Sequence, residues 1–276
     1  MLYYLRVATS YNKPPLIELI AELRWDDASI VLPAAGSGVA PTGLKSSRLE
    51  ELFMQFGAAA AKEGFSRFER VIPPGFPVTP FQVVYRYRPS NATDASKLYQ
   101  LGNGVFTANA LPPYKNWANF RPVIETGLTI LREAFQGLNQ HPPHFTSAIV
   151  RYIDGFRGDM IKGRSTREFL SEALGFEFNL PRVLNNVCTD PKQLVPQLQL
   201  SMPVSPGQMV MTLSEGVVDN QPAVIVDTSV IVQRDIAPEP ATVVDVLTEA
   251  RNVIHQVFME TVKKLHDDMD PIEVAE

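Results

Sequence analysis

The chain has 276 residues, of which 45% are hydrophobic, 20% are charged and one is a cysteine, and its formal net charge is −5. This apolar share excludes a chain that is disordered throughout, and a single cysteine excludes an internal disulfide or a cysteine-rich zinc site. Because no run approaches the ~18 consecutive apolar residues of a membrane span, and residues 1–13 lack the pattern of a signal peptide, we expect a cytoplasmic protein without membrane contact.

The first half of the chain shows a clear succession of periodic segments. Residues 16–25 alternate between apolar and polar side chains, which is typical of a half-buried strand. Residues 47–50 (Ser-Arg-Leu-Glu) have the spacing of a capping box and predict the start of a short helix. Alternation over residues 81–88 and 97–109 predicts an antiparallel hairpin, and Asn116 is placed to cap a long amphipathic helix.

The second half repeats this succession. A strand is predicted at residues 145–156, and a second capping box at residues 165–168 predicts another short helix. A short strand at residues 197–202 precedes a hairpin, and Thr242 is placed to cap the last long helix. The predicted hairpin joins residues 208–215 to residues 223–233 through Asp219 and Asn220. We expect the acidic tail after His266 to fray.

The matching order of elements predicts an α+β fold with an internal duplication. Each half reads strand, short capped helix, antiparallel hairpin, long helix, and the predicted halves are residues 1–138 and 139–276. The two halves are expected to share one antiparallel sheet covered by helices, as in saddle-shaped or helix-grip folds. The uncovered polar face of such a sheet is the natural place to hold a partner.

The sequence contains no complete catalytic, metal-binding or cofactor-binding motif. The four histidines lack the spacing of a zinc site, so we assign no catalytic residue, no metal ligand and no cofactor. The glycine cluster at residues 102–104 lies within a predicted strand and does not open a helix, as a phosphate-binding loop would. It indicates a bulge or a close approach of two backbones.

Two aspartates interrupt otherwise apolar predicted strands. A buried carboxylate without compensation is costly, so Asp154 and Asp227 are each expected to face solvent or to pair with a cation. Arg86, Arg88 and Arg151 lie on predicted strands and are available for such pairs. We favour a structural ion pair over a catalytic dyad.

Aromatic and basic residues also cluster at two places. Residues 85–88 alternate tyrosine and arginine, as single-stranded nucleic-acid platforms do, but alternation sends the two residue types to opposite faces of a strand. Together with the net charge of −5, this makes nucleic acid a less favoured partner than protein. Tyr114, Trp117 and Arg121 surround the start of the first long helix and are expected to anchor it to the sheet. The candidate binding residues are Arg86, Arg88, Tyr114, Trp117, Arg121, Arg151, Asp154 and Asp227.

The central block of the sequence resembles a sporadically distributed family of uncharacterised bacterial proteins of about 250 residues. The resemblance is strongest over residues 101–106 (LGNGVF), 109–117 (NALPPYKNW) and 120–122 (FRP), with weaker matches at residues 14–18 and 150–153. The aspartate that follows residue 153 replaces the asparagine usual in that family. The resemblance implies no established activity, and it implies accessory gene neighbourhoods such as defence or toxin-linked operons.

Three functional hypotheses follow. The favoured one is a non-catalytic binding or assembly module that associates with itself or with another protein. The second is a metal-dependent enzyme that acts on nucleic acid or a nucleotide through Asp154 and Asp227. The third is a carrier that holds an apolar ligand between the sheet and a long helix.

Overall fold

The computed structural model describes residues 7–26, 43–91, 95–190 and 193–275, and within them it shows an α+β fold. The strands are β1 (Val7–Tyr11), β2 (Leu16–Arg24), β3 (Arg67–Arg70), β4 (Val83–Arg88), β5 (Lys97–Gly102), β6 (Val105–Ala110), β7 (Phe145–Arg157), β8 (Leu198–Val204), β9 (Gly207–Val218), β10 (Gln221–Ile236) and β11 (Pro271–Ala275). The helices are α1 (Gly43–Lys62), α2 (Trp117–Gly137), α3 (Thr166–Glu168), α4 (Arg182–Val187) and α5 (Pro240–Thr261).

Nine of these strands form one antiparallel sheet, as the sequence predicted. Its order is β3-β4-β5-β6-β2-β7-β10-β9-β8, while β1 and β11 pair in a separate two-stranded sheet. The predicted hairpin turn at Asp219 and Asn220 is confirmed, because both residues have positive φ angles, of 51° and 61°. A two-residue turn with left-handed φ angles matches the right-handed twist of the strands that it joins.

Two of the predicted helix starts are confirmed by their caps. The Asn116 side chain accepts a hydrogen bond from the Asn119 amide at 2.9 Å, and α2 begins at the next residue. Ser165 and Glu168 form the predicted capping box, in which each side chain satisfies the other's backbone amide. From Phe169 the helix continues to Ala173 with π geometry.

Two other predicted helix starts are wrong. Helix α1 begins at Gly43, so Ser47 lies inside the helix and not at its N-terminus. Helix α5 begins at Pro240, so Thr242 also lies within the first turn rather than before it. Proline suits this first helical position, because its missing N–H would have no partner there.

The glycine cluster marks a turn rather than a point inside one strand. The predicted strand over residues 97–109 is two strands, β5 and β6, joined through Asn103 and Gly104, and Gly104 has a φ of 71°. The predicted close approach is confirmed, because a Cβ added to Gly102 would lie 2.0 Å from the Gln82 carbonyl oxygen. Phe81, expected to begin the preceding strand, instead has a φ of 60°, and β4 begins at Val83.

The expectation that the tail frays is also wrong. After a turn at Asp270, where φ is 56°, the chain forms β11 and pairs with β1 along five residues. The backbone amides of Asn12 and Lys13 also donate to carbonyl oxygens of this tail, at 2.9 and 3.0 Å. Backbone pairing holds the segment despite its acidic side chains.

The chain divides into two compact units that are interleaved in sequence. Unit 1 comprises Met1–Leu19, Arg151–Val230 and Ala250–Glu276, and unit 2 comprises Ile20–Val150 and Ile231–Glu249. The predicted halves, residues 1–138 and 139–276, were defined by the repeated order of elements, whereas these units are defined by compactness, so the units do not test the halves. The duplication therefore stays a prediction.

The core of unit 2 is aromatic. The rings of Phe56 and Tyr87 pack with centroids 4.8 Å apart, and the buried Tyr87 hydroxyl donates to the Phe53 carbonyl oxygen at 2.9 Å. Helix α2 approaches the strands closely at Gly127, where an added Cβ would lie 2.7 Å from the Phe106 ring. The glycine therefore permits a helix-to-sheet contact that a larger residue would obstruct.

The core of unit 1 combines strand residues with residues from the capped short helix and the end of α5. Phe156 of β7 packs on Phe169, with ring centroids 5.4 Å apart. Val226 of β10 and Val262, just after α5, belong to the same buried cluster. These contacts fix the positions of β7 and β10, which carry the two predicted aspartates.

Candidate functional site

Arg151 and Asp227 form a two-pronged ion pair between β7 and β10. The Arg151 Nε donates to Asp227 Oδ1 at 2.7 Å, and Nη2 donates to Oδ2 at 2.5 Å. The two side chains are 45% and 25% exposed. The ion pair predicted for Asp227 is therefore present, and its planar fork orients both groups.

Asp154 neither faces solvent nor forms an ion pair with any residue that the structure describes. Its exposed fraction is 4%. Burial, and secondarily the negative charge of Asp227, raises the pKa of the Asp154 carboxyl from 3.8 to about 7. The expectation of a solvated or paired Asp154 was wrong, because a raised pKa lets the carboxyl keep its proton.

The two aspartates do not converge in an open cleft. Arg151 and Asp154 are three residues apart on one strand, so strict alternation places them on opposite faces of the sheet. Asp227 contacts Arg151 and thus lies on the face opposite Asp154. Neither carboxylate is free and exposed, as a divalent-cation site requires.

The other two arginines predicted as partners of the aspartates lie in unit 2. Arg86 donates from Nη1 to Glu69 Oε1 of β3 at 2.9 Å. Arg88 lies directly opposite Arg67 in the β3–β4 ladder. The strand β3 was not predicted, so its residues could not be considered as partners.

The cluster at the start of α2 anchors that helix through Trp117. Trp117 is buried, and its indole Nε1 donates to the Thr248 hydroxyl of α5 at 3.1 Å. The rings of Trp117 and Tyr114 meet Phe120 edge to face at 5.8 and 6.5 Å. Arg121 is exposed. The structure therefore gives Trp117 a contact to α5, and the anchoring of the helix to the sheet stays a prediction.

A surface that the sequence reasoning missed is formed by α4. Val183, Leu184 and Val187 of this six-residue helix are 63%, 47% and 67% exposed. Val195, a few residues further on, is 46% exposed. The sequence signal is three large apolar residues within the six positions that follow Pro181.

Two adjoining cavities lie in unit 2, between α1 and the loop that follows α2. Their volumes are about 370 and about 170 Å³, and Arg48, Leu138 and Gln140 border both. The larger is also lined by Glu51 and Asn139 and is mainly polar. This differs from the apolar interior that a carrier requires.

Across residues 7–26, 43–91, 95–190 and 193–275, no group of three or more His, Cys, Asp or Glu side chains is arranged to hold a metal ion. None of the helices in these ranges has the length and apolar composition needed to cross a membrane. The chain matches no family model, no curated protein and no solved structure.

Proposed function

We propose that this protein is a non-catalytic binding or assembly module whose partner is another protein, and that a second copy of the chain is the first partner to test. The observation that carries the proposal is the apolar surface of α4, defined by Val183, Leu184 and Val187. The proposal includes the cytoplasmic setting expected from the sequence, and the resemblance described above adds a defence or toxin-linked accessory operon.

Helix α4 is stabilised little by packing against its own chain. A helix of six residues is not stable in water by itself and depends on packing of an apolar face. Here that face is left largely in water. Contiguous exposed apolar side chains of this kind are characteristic of protein-binding surfaces, and each contributes roughly 1 kcal/mol or more when it is buried.

The experiment compares the association of the wild-type chain with that of Val183→Glu/Val187→Glu. We expect light scattering over a wide concentration range to show an oligomer for the wild type and a monomer for the double variant, with equal thermal stability. The matched control is Val217→Glu, because Val217 is 72% exposed and lies outside α4. A wild type that stays monomeric and captures no protein in pull-downs contradicts the proposal, as does equal dissociation in the control.

The internal duplication belongs to the same proposal. Apart from the edge strand β3, the sheet reads β4-β5-β6-β2 from one side and β8-β9-β10-β7 from the other, so each predicted half supplies four strands in the same order. The helices also correspond, α1 with α3 and α2 with α5. This equivalence supports a duplicated saddle or helix-grip arrangement, which is common in folds that hold partners.

Neither alternative has an observation of equal weight. The enzyme hypothesis required Asp154 and Asp227 to act together, yet Asp154 is buried and Asp227 is occupied by Arg151. The carrier hypothesis places an apolar pocket between the sheet and a long helix, and the two cavities described above, between α1 and the loop after α2, give it no support. Binding through an exposed apolar surface needs neither feature.

A further inference from the structure

The hairpin of β3 and β4 places two arginines directly opposite each other. Arg67 and Arg88 are register partners, so their side chains emerge on the same face with Cα atoms about 5.5 Å apart. Arg67 is exposed and Arg88 half-buried. Within the described part of the chain neither forms an ion pair, whereas the neighbouring Arg86 is neutralised by Glu69. Like charges at opposed positions destabilise a sheet, so this pair is well placed to receive an anion.

The same hairpin offers unpaired backbone groups. Among the described strands, β3 has β4 as its single neighbour and ends the sheet. The Val71 amide donates to the Val84 carbonyl oxygen at 2.8 Å, in register with the Arg67–Arg88 pair. In an antiparallel ladder, hydrogen-bonded pairs alternate, so the N–H and C=O groups of Phe68 point away from β4. They present the edge that an added strand requires.

We propose that this hairpin is a second binding site, which takes an extended acidic segment of a protein partner as an added strand along β3. The segment alternates acidic and apolar residues. Its carboxylates lie on the face of Arg67 and Arg88, and its apolar side chains lie on the face of Phe68, which is 61% exposed. Charge complementarity and the edge backbone thus select the same kind of ligand.

A single-stranded nucleic acid fits this surface less well. Stacking and phosphate contacts would require an aromatic ring and an available cation on one face. Arg67 points to the face opposite Phe68, and Arg70, on the face of Phe68, is paired with Glu50. An oligonucleotide also has no backbone groups that continue a β-ladder. Strands β3 and β4 belong to unit 2, whereas α4 belongs to unit 1.

The test measures binding of the full chain to a fluorescent peptide of alternating glutamate and valine. Comparison ligands are a lysine–valine peptide, a peptide of the same composition with its glutamates and valines in separate blocks, and a single-stranded oligonucleotide. We expect the alternating acidic peptide to bind, and its affinity to fall about tenfold in Arg67→Glu and in Arg88→Glu, since reversal removes an attraction and adds a repulsion. The matched control is Arg132→Glu, on the exposed surface of α2.

Three further measurements distinguish loss of this site from misfolding and from an effect of α4. Charge reversal converts a like-charged pair into an attractive one, so the thermal midpoint of Arg67→Glu should not fall. Phe68→Pro, which removes an outward N–H at an edge position that tolerates proline, should also abolish binding. Val183→Glu/Val187→Glu should bind the peptide normally. Absence of peptide binding, unchanged affinity in the arginine variants, or tighter binding of the oligonucleotide overturns the proposal.

Discussion

Replacing the buried Asp154 with asparagine should change how stability depends on pH. Asp154 is 4% exposed, and burial together with the charge of Asp227 raises its pKa from 3.8 to about 7. Asp154→Asn keeps the shape of the side chain and removes its titration. We expect the variant to gain stability relative to the wild type as pH rises.

The sign follows from the two protonation equilibria. Below about pH 3.8 the Asp154 carboxyl holds its proton in both states, so titration has no effect on the free energy of unfolding. As pH rises from 3.8 towards 7, the unfolded chain releases this proton while the folded chain retains it, and stability falls. A pKa raised by about three pH units, at about 1.4 kcal/mol per unit, costs on the order of 4 kcal/mol above pH 7.

Urea denaturation of both proteins at a series of pH values between 4 and 8 measures this effect. The difference in free energy of unfolding between Asp154→Asn and the wild type should grow by on the order of 4 kcal/mol across the series. Asp245→Asn, on the exposed face of α5, is the matched control and should show a flat difference. A flat difference for Asp154→Asn as well would refute the conclusion that burial raises the pKa of this carboxyl in the folded protein.

Two further substitutions test packing and capping by chemical denaturation. Gly127→Ala should lower the free energy of unfolding by about 1–3 kcal/mol, because the new Cβ would lie 2.7 Å from the rings of Phe106 and Tyr99. This steric cost should exceed the helix propensity that alanine adds. Unchanged or greater stability contradicts the prediction. Ser165→Ala should lower the free energy of unfolding by about 1 kcal/mol through loss of the capping box. Unchanged stability of Ser165→Ala would refute the contribution of this cap.

The serines of the two predicted capping boxes, Ser47 and Ser165, show how far local motifs predict helix boundaries. Both precede a glutamate by three residues, and only Ser165 is a cap. The residues before Ser165 include a left-handed glycine, Gly163, with a φ of 71°, which prevents the helix from extending backwards. Residues 43–46 contain no such interruption, and α1 runs through them. The motif therefore indicates a possible cap, and the conformation of the preceding backbone determines whether the helix begins there.

Strands were predictable where one face is buried and missed where neither face shows alternation. The residues of β2 and β7 alternate or are apolar throughout, and both strands were placed within two residues of their observed ends. By contrast β3 reads Arg-Phe-Glu-Arg, and β11 follows an acidic turn. Their positions depend on hydrogen bonds to distant strands, which leave no periodic signal in a segment of four or five residues.

At the candidate site, residue chemistry was predictable from the sequence, whereas the pairing of strands was not. The sequence predicted that Asp227 needs a cation, since a carboxylate within an apolar strand must be compensated, and it offered Arg86, Arg88 and Arg151 equally. Pairing of β7 with β10 selects Arg151, and pairing of β3 with β4 gives Arg86 to Glu69. Arg88 is left opposite another arginine. Because a partner is chosen by register rather than by residue type, charge balance along a single strand cannot reveal which charge remains available for a ligand.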